Sequence, residues 1–168
     1  MERRSGSRPH PLVRRQQSQP FEHHLSDPLD PRCELHRVSL GDLAGLTRLG
    51  VHIVRLSPAR QGSIYHTHAC EEEFIYVLSG RGIAEIDGEE HVVGPGDFMG
   101  FPTPSAAHRL SNPFDEDLIY LVGGERREVE ISELPQLGKR ILRRRGYVEA
   151  VEGDSAEVLW KDELEPLG

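Results

Sequence analysis

Residues 73–93 read EFIYVLSGRGIAEIDGEEHVV. The runs EFIYVLSG, GIAEID and EEHVV follow one another with almost no spacer, and the last two are divided at Asp87-Gly88. An Asp-Gly pair between such runs is a strong hairpin signal, because the tight turn that suits strand twist needs positive φ at both central residues. In the first run, alternation places Glu73, Ile75 and Val77 on one face and Phe74, Tyr76 and Leu78 on the other. The stretch is therefore read as three consecutive strands.

The same grammar extends in both directions. CELHRVSL, TRLGVHIVRL and SIYHTH precede it, and DFMGF, AHRLSN and DLIYLVGG follow it. The breaks, GDLAG, SPARQG, ACE, GPG, PTPS and NPFDE, have turn compositions. The 17 glycines and 12 prolines punctuate short apolar runs rather than forming one tract, which argues against a helical bundle. About nine short strands at regular spacing predict an all-β sandwich or barrel. A chain of 168 residues has room for one core, and it carries no internal repeat that would indicate two tandem barrels. Residues 1–30 are rich in Pro, Arg, Gln and Ser and are read mostly as a disordered or extended basic tail. Residues 31–135 are read as the barrel, and 136–168 as a C-terminal extension packing on it. The cluster Lys139, Arg140, Arg143, Arg144 and Arg145 is read as a solvated edge rather than an anion site.

Charge narrows the partners. The chain has 20 basic and 28 acidic residues, a net of -8. Its first 20 residues hold five arginines against one glutamate, so everything beyond them is more acidic still. Such a domain has no electrostatic footprint for a phosphate backbone, which argues against a nucleic-acid partner. No apolar run approaches the roughly 18 to 20 residues of a membrane span, and the basic start lacks the apolar region of a secretory signal. Cys33 and Cys70 have no paired spacing, which fits a reducing cytoplasm.

Of nine histidines, three sit where strand geometry can make them converge. His66 and His68 flank Thr67 on an expected strand, so both imidazoles project from one side. Glu73 opens the next strand, and His108 lies 35 residues beyond it on another. Taken singly, each is more simply a satisfied or solvated residue. Together, imidazoles plus one carboxylate suit a borderline divalent metal such as Zn, Fe, Mn, Ni or Co, with positions left open.

The spacing as a whole matches a family pattern. HTHACEEEFIYVLSG has the form His-x-His-x4-Glu-x6-Gly, closed by Gly80, and GDFMGFPTPSAAHRLSN reads Gly-x5-Pro, then His108, then x3-Asn112. These resemble the two signature motifs of the cupin superfamily, separated by residues 81–95, and the resemblance covers about residues 36–123. The second motif departs from the pattern: Pro104 stands where Gly is usual, and one extra residue precedes His108. Gly62 also lies closer to His66 than the pattern's first Gly. The stretch GLTRLGVHIVRLSP further resembles small single-domain bacterial cupins, some labelled sugar-phosphate isomerases. The resemblance implies a double-stranded β-helix, a jelly-roll barrel of two antiparallel sheets, with a metal held by His66, His68, Glu73 and His108.

Other residues carry weaker expectations. Cys70 is read as a loop thiol, Glu71 and Glu72 as a solvated acidic turn rather than a general base, and Asn112 as shaping a strand end rather than binding metal. Tyr65, Tyr120 and Arg55 could line the pocket; His23, His24, His36, His52 and His91 are assigned no role. Three functions compete: a metalloenzyme acting on a small molecule as isomerase, lyase or dioxygenase; a binding or sensor barrel; and a barrel in which the metal is a structural staple. The outward stripe of Phe74, Tyr76 and Leu78 needs a cover, either residues 33–40 folded back or a second copy in a homodimer.

Overall fold

The computed structural model describes residues 9–144 and 147–153. Its strands are β1 (His23–Ser26), β2 (Glu34–Ser39), β3 (Leu49–Leu56), β4 (Arg60–Gln61), β5 (Glu73–Ser79), β6 (Gly82–Ile86) and β7 (Glu89–Val93). They continue with β8 (Phe98–Phe101), β9 (His108–Asn112), β10 (Leu118–Glu125), β11 (Val129–Leu134), β12 (Lys139–Arg144) and β13 (Tyr147–Glu152). Two short α-helices, α1 (Arg15–Ser18) and α2 (Leu40–Ala44), and a 3-10 turn at Gln19–Phe21 lie between the strands or before them.

Two antiparallel sheets form the jelly-roll barrel. One has the order β1-β2-β3-β10-β5-β8, the other β4-β9-β6-β7. The inward faces meet in one core: Val54, Leu56, Ile75, Val77, Leu118 and Tyr120 from the larger sheet, and Ala84, Val93 and Leu110 from the smaller. Parity along β5 is as alternation requires, since Ile75 and Val77 are buried while Tyr76 and Leu78 are exposed. The β6–β7 turn has φ of 49° at Asp87 and 82° at Gly88, the left-handed pair that matches strand twist. Gly80 has φ of 75°, and a Cβ there would collide with the Asp117 carbonyl, so only glycine lets β5 turn into β6 at this point.

A third sheet, β11-β12-β13, packs on one end of the barrel. Leu134 of β11 joins Cys33 and Ile64 in a second apolar cluster, with Ile141 of β12 against it. No helix among the described residues is long and apolar enough to cross a membrane.

The structure departs from the sequence reading in four places. Residues 63–68 do not form a strand. His66 makes a single bridge to His108 of β9, whereas Thr67 and Ala69 donate to the carbonyls of Glu133 and Ile131 on β11, so the segment is shared between barrel and third sheet. Within the expected tail, β1 pairs with β2 from His23↔Arg37 to Ser26↔Glu34. That strand shows no alternation because most of its side chains are exposed, and its pairing rests on backbone bonds. The barrel boundary drawn at residue 135 falls in the turn between β11 and β12, so β11 belongs with the C-terminal extension. Finally, the segment offered as a cover for the β5 stripe lies in the plane of the large sheet as β2. Residues 1–8 of the expected tail, Arg145 of the basic cluster and residues 154–168 of the extension lie outside the described residues.

Candidate metal centre

The bridge between His66 and His108 sets two imidazoles side by side, and the His68 ring lies against both of them. Ring centroids are 4.8 Å apart for His66 and His68, 4.6 Å for His66 and His108, and 5.6 Å for His68 and His108. The Phe101 ring stacks on His108 at 3.7 Å and 9°, which fixes that imidazole's plane. Glu73, the first residue of β5, reaches the same point: its Oε1 is 3.4 Å from His108 Nε2 and its Oε2 3.7 Å from His68 Nε2. The four residues singled out from the sequence therefore converge.

Their outer atoms decide which protons are present. His66 Nδ1 lies 2.7 Å from the Ile64 carbonyl, and His108 Nδ1 2.9 Å from the Ala106 carbonyl. A carbonyl only accepts, so both Nδ1 atoms carry hydrogen and both Nε2 atoms present lone pairs. His68 Nδ1 is fully buried without a well-formed hydrogen bond, and it faces Oε1 of Glu130 at 3.4 Å. That carboxylate orients it the same way. Three imidazole lone pairs and a carboxylate thus meet with no donor among them; His66 Nε2 and His68 Nε2 are 3.1 Å apart. Neighbouring ligands at metal–nitrogen bonds of about 2.0 to 2.1 Å sit about 2.9 to 3.4 Å apart, a range that includes the His66–His68 and Glu73–His108 separations and that the 3.7 Å Glu73–His68 one exceeds. The three histidines could hold a divalent metal, with Glu73 at 3.4 Å from His108 and 3.7 Å from His68.

Electrostatics agrees with a cation-ready site. Burial pushes His66 down to about 4, and the neighbouring His108 and His68 push it the same way, so the ring is neutral at pH 7. Burial would raise the Glu73 carboxyl, but a hydrogen bond from His108 and the attraction of the three imidazoles in their protonated forms outweigh it and hold Glu73 below the usual carboxylate value, so Glu73 is ionised when the rings are neutral.

Glu130 had no motif to announce it. It is buried on β11, and alternation sets it on one face with Ser132 and Leu134, a carboxylate in step with a core leucine. Its oxygens also accept from the backbone N–H groups of Ala69 and Cys70, at 2.9 and 3.2 Å. Glu71 overturns its reading as part of a solvated turn: it is buried and bonded to the Arg127 backbone N–H and the Arg143 guanidinium. His68, Glu71 and Glu130 form a second group close enough for a cation, but both carboxylates are already satisfied by protein donors. Glu72 is exposed.

The basic cluster is likewise paired rather than a free solvated edge. Lys139 meets Glu152, Arg140 meets Glu133, Arg143 meets Glu71 and Arg144 meets Glu149. Arg55 is drawn to Glu22 and Asp117, and Tyr120 is sealed in the barrel core, where burial raises its phenol. Asn112 donates to the Leu56 and Glu116 carbonyls and accepts from Phe114 N–H, which ties off the end of β9. Cys70 is a free, half-buried loop thiol outside the histidine cluster.

A cavity of about 450 Å³ opens beside His66 and His68, between barrel and third sheet. Its walls include Leu29, Ile64, Leu134, Ile141 and Val148, with Ser63, Ser132 and Asp27 as the polar points, and no lysine or arginine among the described residues lines it.

Comparison with known proteins places this architecture. The cupin domain family matches residues 52–124, from β3 to β10. A crystal structure from Acidithiobacillus ferrooxidans, provisionally named as a sugar phosphate isomerase, is 35% identical with a TM-score of 0.85, covering 89% of this chain and 97% of that one. A second, from Silicibacter pomeroyi and named as a sugar phosphate isomerase from a cupin superfamily, is 26% identical with a TM-score of 0.74, covering 82% and 89%. A Methanocaldococcus jannaschii protein is 34% identical over 55 residues, 33% of this chain and 43% of its own length, so the chain spans less than half of that curated relative. On the domain match and the near-complete alignment with a 35% identical relative, this chain belongs to the cupin superfamily.

Proposed function

We propose that the protein is a metal-dependent enzyme acting on a small molecule that enters through the cavity between the barrel and the third sheet. The observation that carries this reading is the convergence of three Nε2 lone pairs and the Glu73 carboxylate beside an open cavity. His66, His68, Glu73 and His108 would hold the metal, which when bound supplies Lewis-acid polarisation of a substrate oxygen. The chain's own residues do the rest. Glu130 keeps His68 in the ligating tautomer, the apolar wall receives the apolar part of the bound molecule, and Ser63 and Ser132 are the hydroxyl-bearing residues of that wall. The names of the two solved relatives make isomerisation the first reaction to assay, with oxygen-dependent chemistry as the alternative if the metal is iron. The test is a metal-exchange activity screen over isomerisable and oxygen-dependent substrates, with His108→Ala as control. Turnover by the metal-loaded protein that His108→Ala lacks supports the enzyme; a metal-loaded protein with no turnover across the screen would favour a binding barrel or a metal staple.

The same reading takes the protein as a cytoplasmic homodimer. Tyr76 and Leu78 are exposed on the outer face of the large sheet, Phe98 beside them is 64% exposed, and its ring stacks on Phe74 at 5.9 Å. With residues 33–40 in the sheet plane, a second copy is the proposed cover. Tyr76→Glu is expected to convert a dimer to a monomer in sedimentation; a monomeric wild type at micromolar concentration would refute the dimer.

A further inference from the structure

The cavity beside His66 and His68 is a built pocket whose chemistry differs from what a phosphorylated substrate needs. A phosphate carries between one and two negative charges at pH 7 and is ordinarily met by Arg, Lys or a run of backbone N–H groups. Here the described wall is Leu29, Ile64, Leu134, Ile141 and Val148 with two hydroxyls, and its one charged member is the acid Asp27. The cations on the neighbouring strand are already used, Arg140 by Glu133 and Arg143 by Glu71.

Charge balance points the same way. A divalent ion on three neutral imidazoles and ionised Glu73 leaves one positive charge. A single anionic oxygen neutralises it, whereas a further dianion would lie against apolar side chains and the Asp27 carboxylate with no cation in the described wall to meet it. The volume of about 450 Å³ exceeds what a head group on the metal would fill, so the remainder is left for an apolar body.

Resting on the metal-dependent reading above, we infer that the substrate class is a molecule with an apolar body and a single oxygen-donor head, bearing no phosphate. The head faces the histidine cluster and the body lies along Ile64, Leu134 and Ile141.

The experiment loads the full chain with Co(II) and follows its visible absorption during titration with three probes. Acetohydroxamate and benzohydroxamate share a metal-binding head and differ in the apolar body; ribose 5-phosphate represents the phosphorylated class. Burying the phenyl ring should make benzohydroxamate bind at least about tenfold tighter than acetohydroxamate. Ribose 5-phosphate should leave the spectrum unchanged at concentrations where benzohydroxamate saturates. Ile141→Arg should bring the two hydroxamates to within about threefold of each other by charging the wall. Equal affinities in the wild type, no response to either hydroxamate, or ribose 5-phosphate acting at lower concentration than benzohydroxamate would each overturn the inference while leaving the metal reading intact. Failure of Co(II) to bind at all would overturn the metal reading and the inference with it.

Discussion

The β6–β7 hairpin and the segment from His66 to Glu73 sit in one molecule but are held in opposite ways. The hairpin turn is local in conformation, with strands of five residues each joined by Asp87 and Gly88 and most of β7 exposed, although Asp87 also exchanges two bonds with Ala107 and Ile86 pairs with His108 on β9. The histidine segment is bonded almost wholly to residues distant in sequence. Thr67 and Ala69 bond β11, Glu71 meets Arg127 and Arg143, and the His68 backbone N–H donates to Ser105 Oγ at 2.7 Å. A turn specified by its own two residues tolerates change nearby. A ligand loop clamped by remote polar partners transmits the loss of any one of them to the site.

That contrast is open to direct attack, and the largest effect is expected at a ligand. His66→Ala should abolish stoichiometric metal, whereas His91→Ala on β7 should leave it intact, as read by elemental analysis of purified protein. Equal metal content in the two variants would remove the distinction. Next comes Glu130→Gln, which takes the charge from the buried partner of His68 while keeping its shape. Affinity for metal should fall about 10- to 100-fold, and the thermal midpoint of the metal-free protein should fall too, because the Gln amide sets an NH2 against the N–H of Ala69 or Cys70. An unchanged metal dissociation constant would show that Glu130 only holds the backbone of Ala69 and Cys70.

How much of this was legible follows the same division. The strands from β5 to β10 could be read because alternation, Gly80 and Asp87-Gly88 act over a few residues, and the approach of the three histidines and Glu73 could be read because their spacing is a motif. Residues 63–68 were misread because their backbone bonds alternate between two partners that the sequence does not bring together. Glu130 and the Glu71–Arg143 pair were invisible for a related reason: each is a polar contact across 60 or more residues, with nothing in its neighbourhood to mark it. The strand β1 was missed because an edge strand with exposed side chains has no hydrophobic period.

Smaller effects sharpen the comparison. Glu71→Ala leaves Arg143 and the Arg127 amide without their acceptor, and should cost about 2 kcal/mol in urea denaturation of the metal-free protein. Glu89→Ala on the exposed hairpin should stay within about 0.5 kcal/mol. The clamp account is wrong if the two variants unfold alike. Gly88→Ala isolates the hairpin turn itself, since nothing lies within 4 Å of a Cβ there and only the φ of 82° is strained. A loss of about 1 kcal/mol without any change in metal affinity is expected. A change in metal affinity from this substitution would mean that the Asp87–Ala107 bonds carry the strain of the turn to His108.

The central claim is that His66, His68, Glu73 and His108 together hold one divalent metal. X-ray absorption at the metal edge of the full-length protein, purified without added chelator and quantified for metal, addresses it directly. The account predicts about one ion per chain with three imidazole nitrogens and carboxylate oxygen in its inner shell, and loss of the imidazole signal in proportion as His66 or His108 is replaced. Substoichiometric content of every divalent metal, or a bound ion whose shell contains no imidazole, would contradict it.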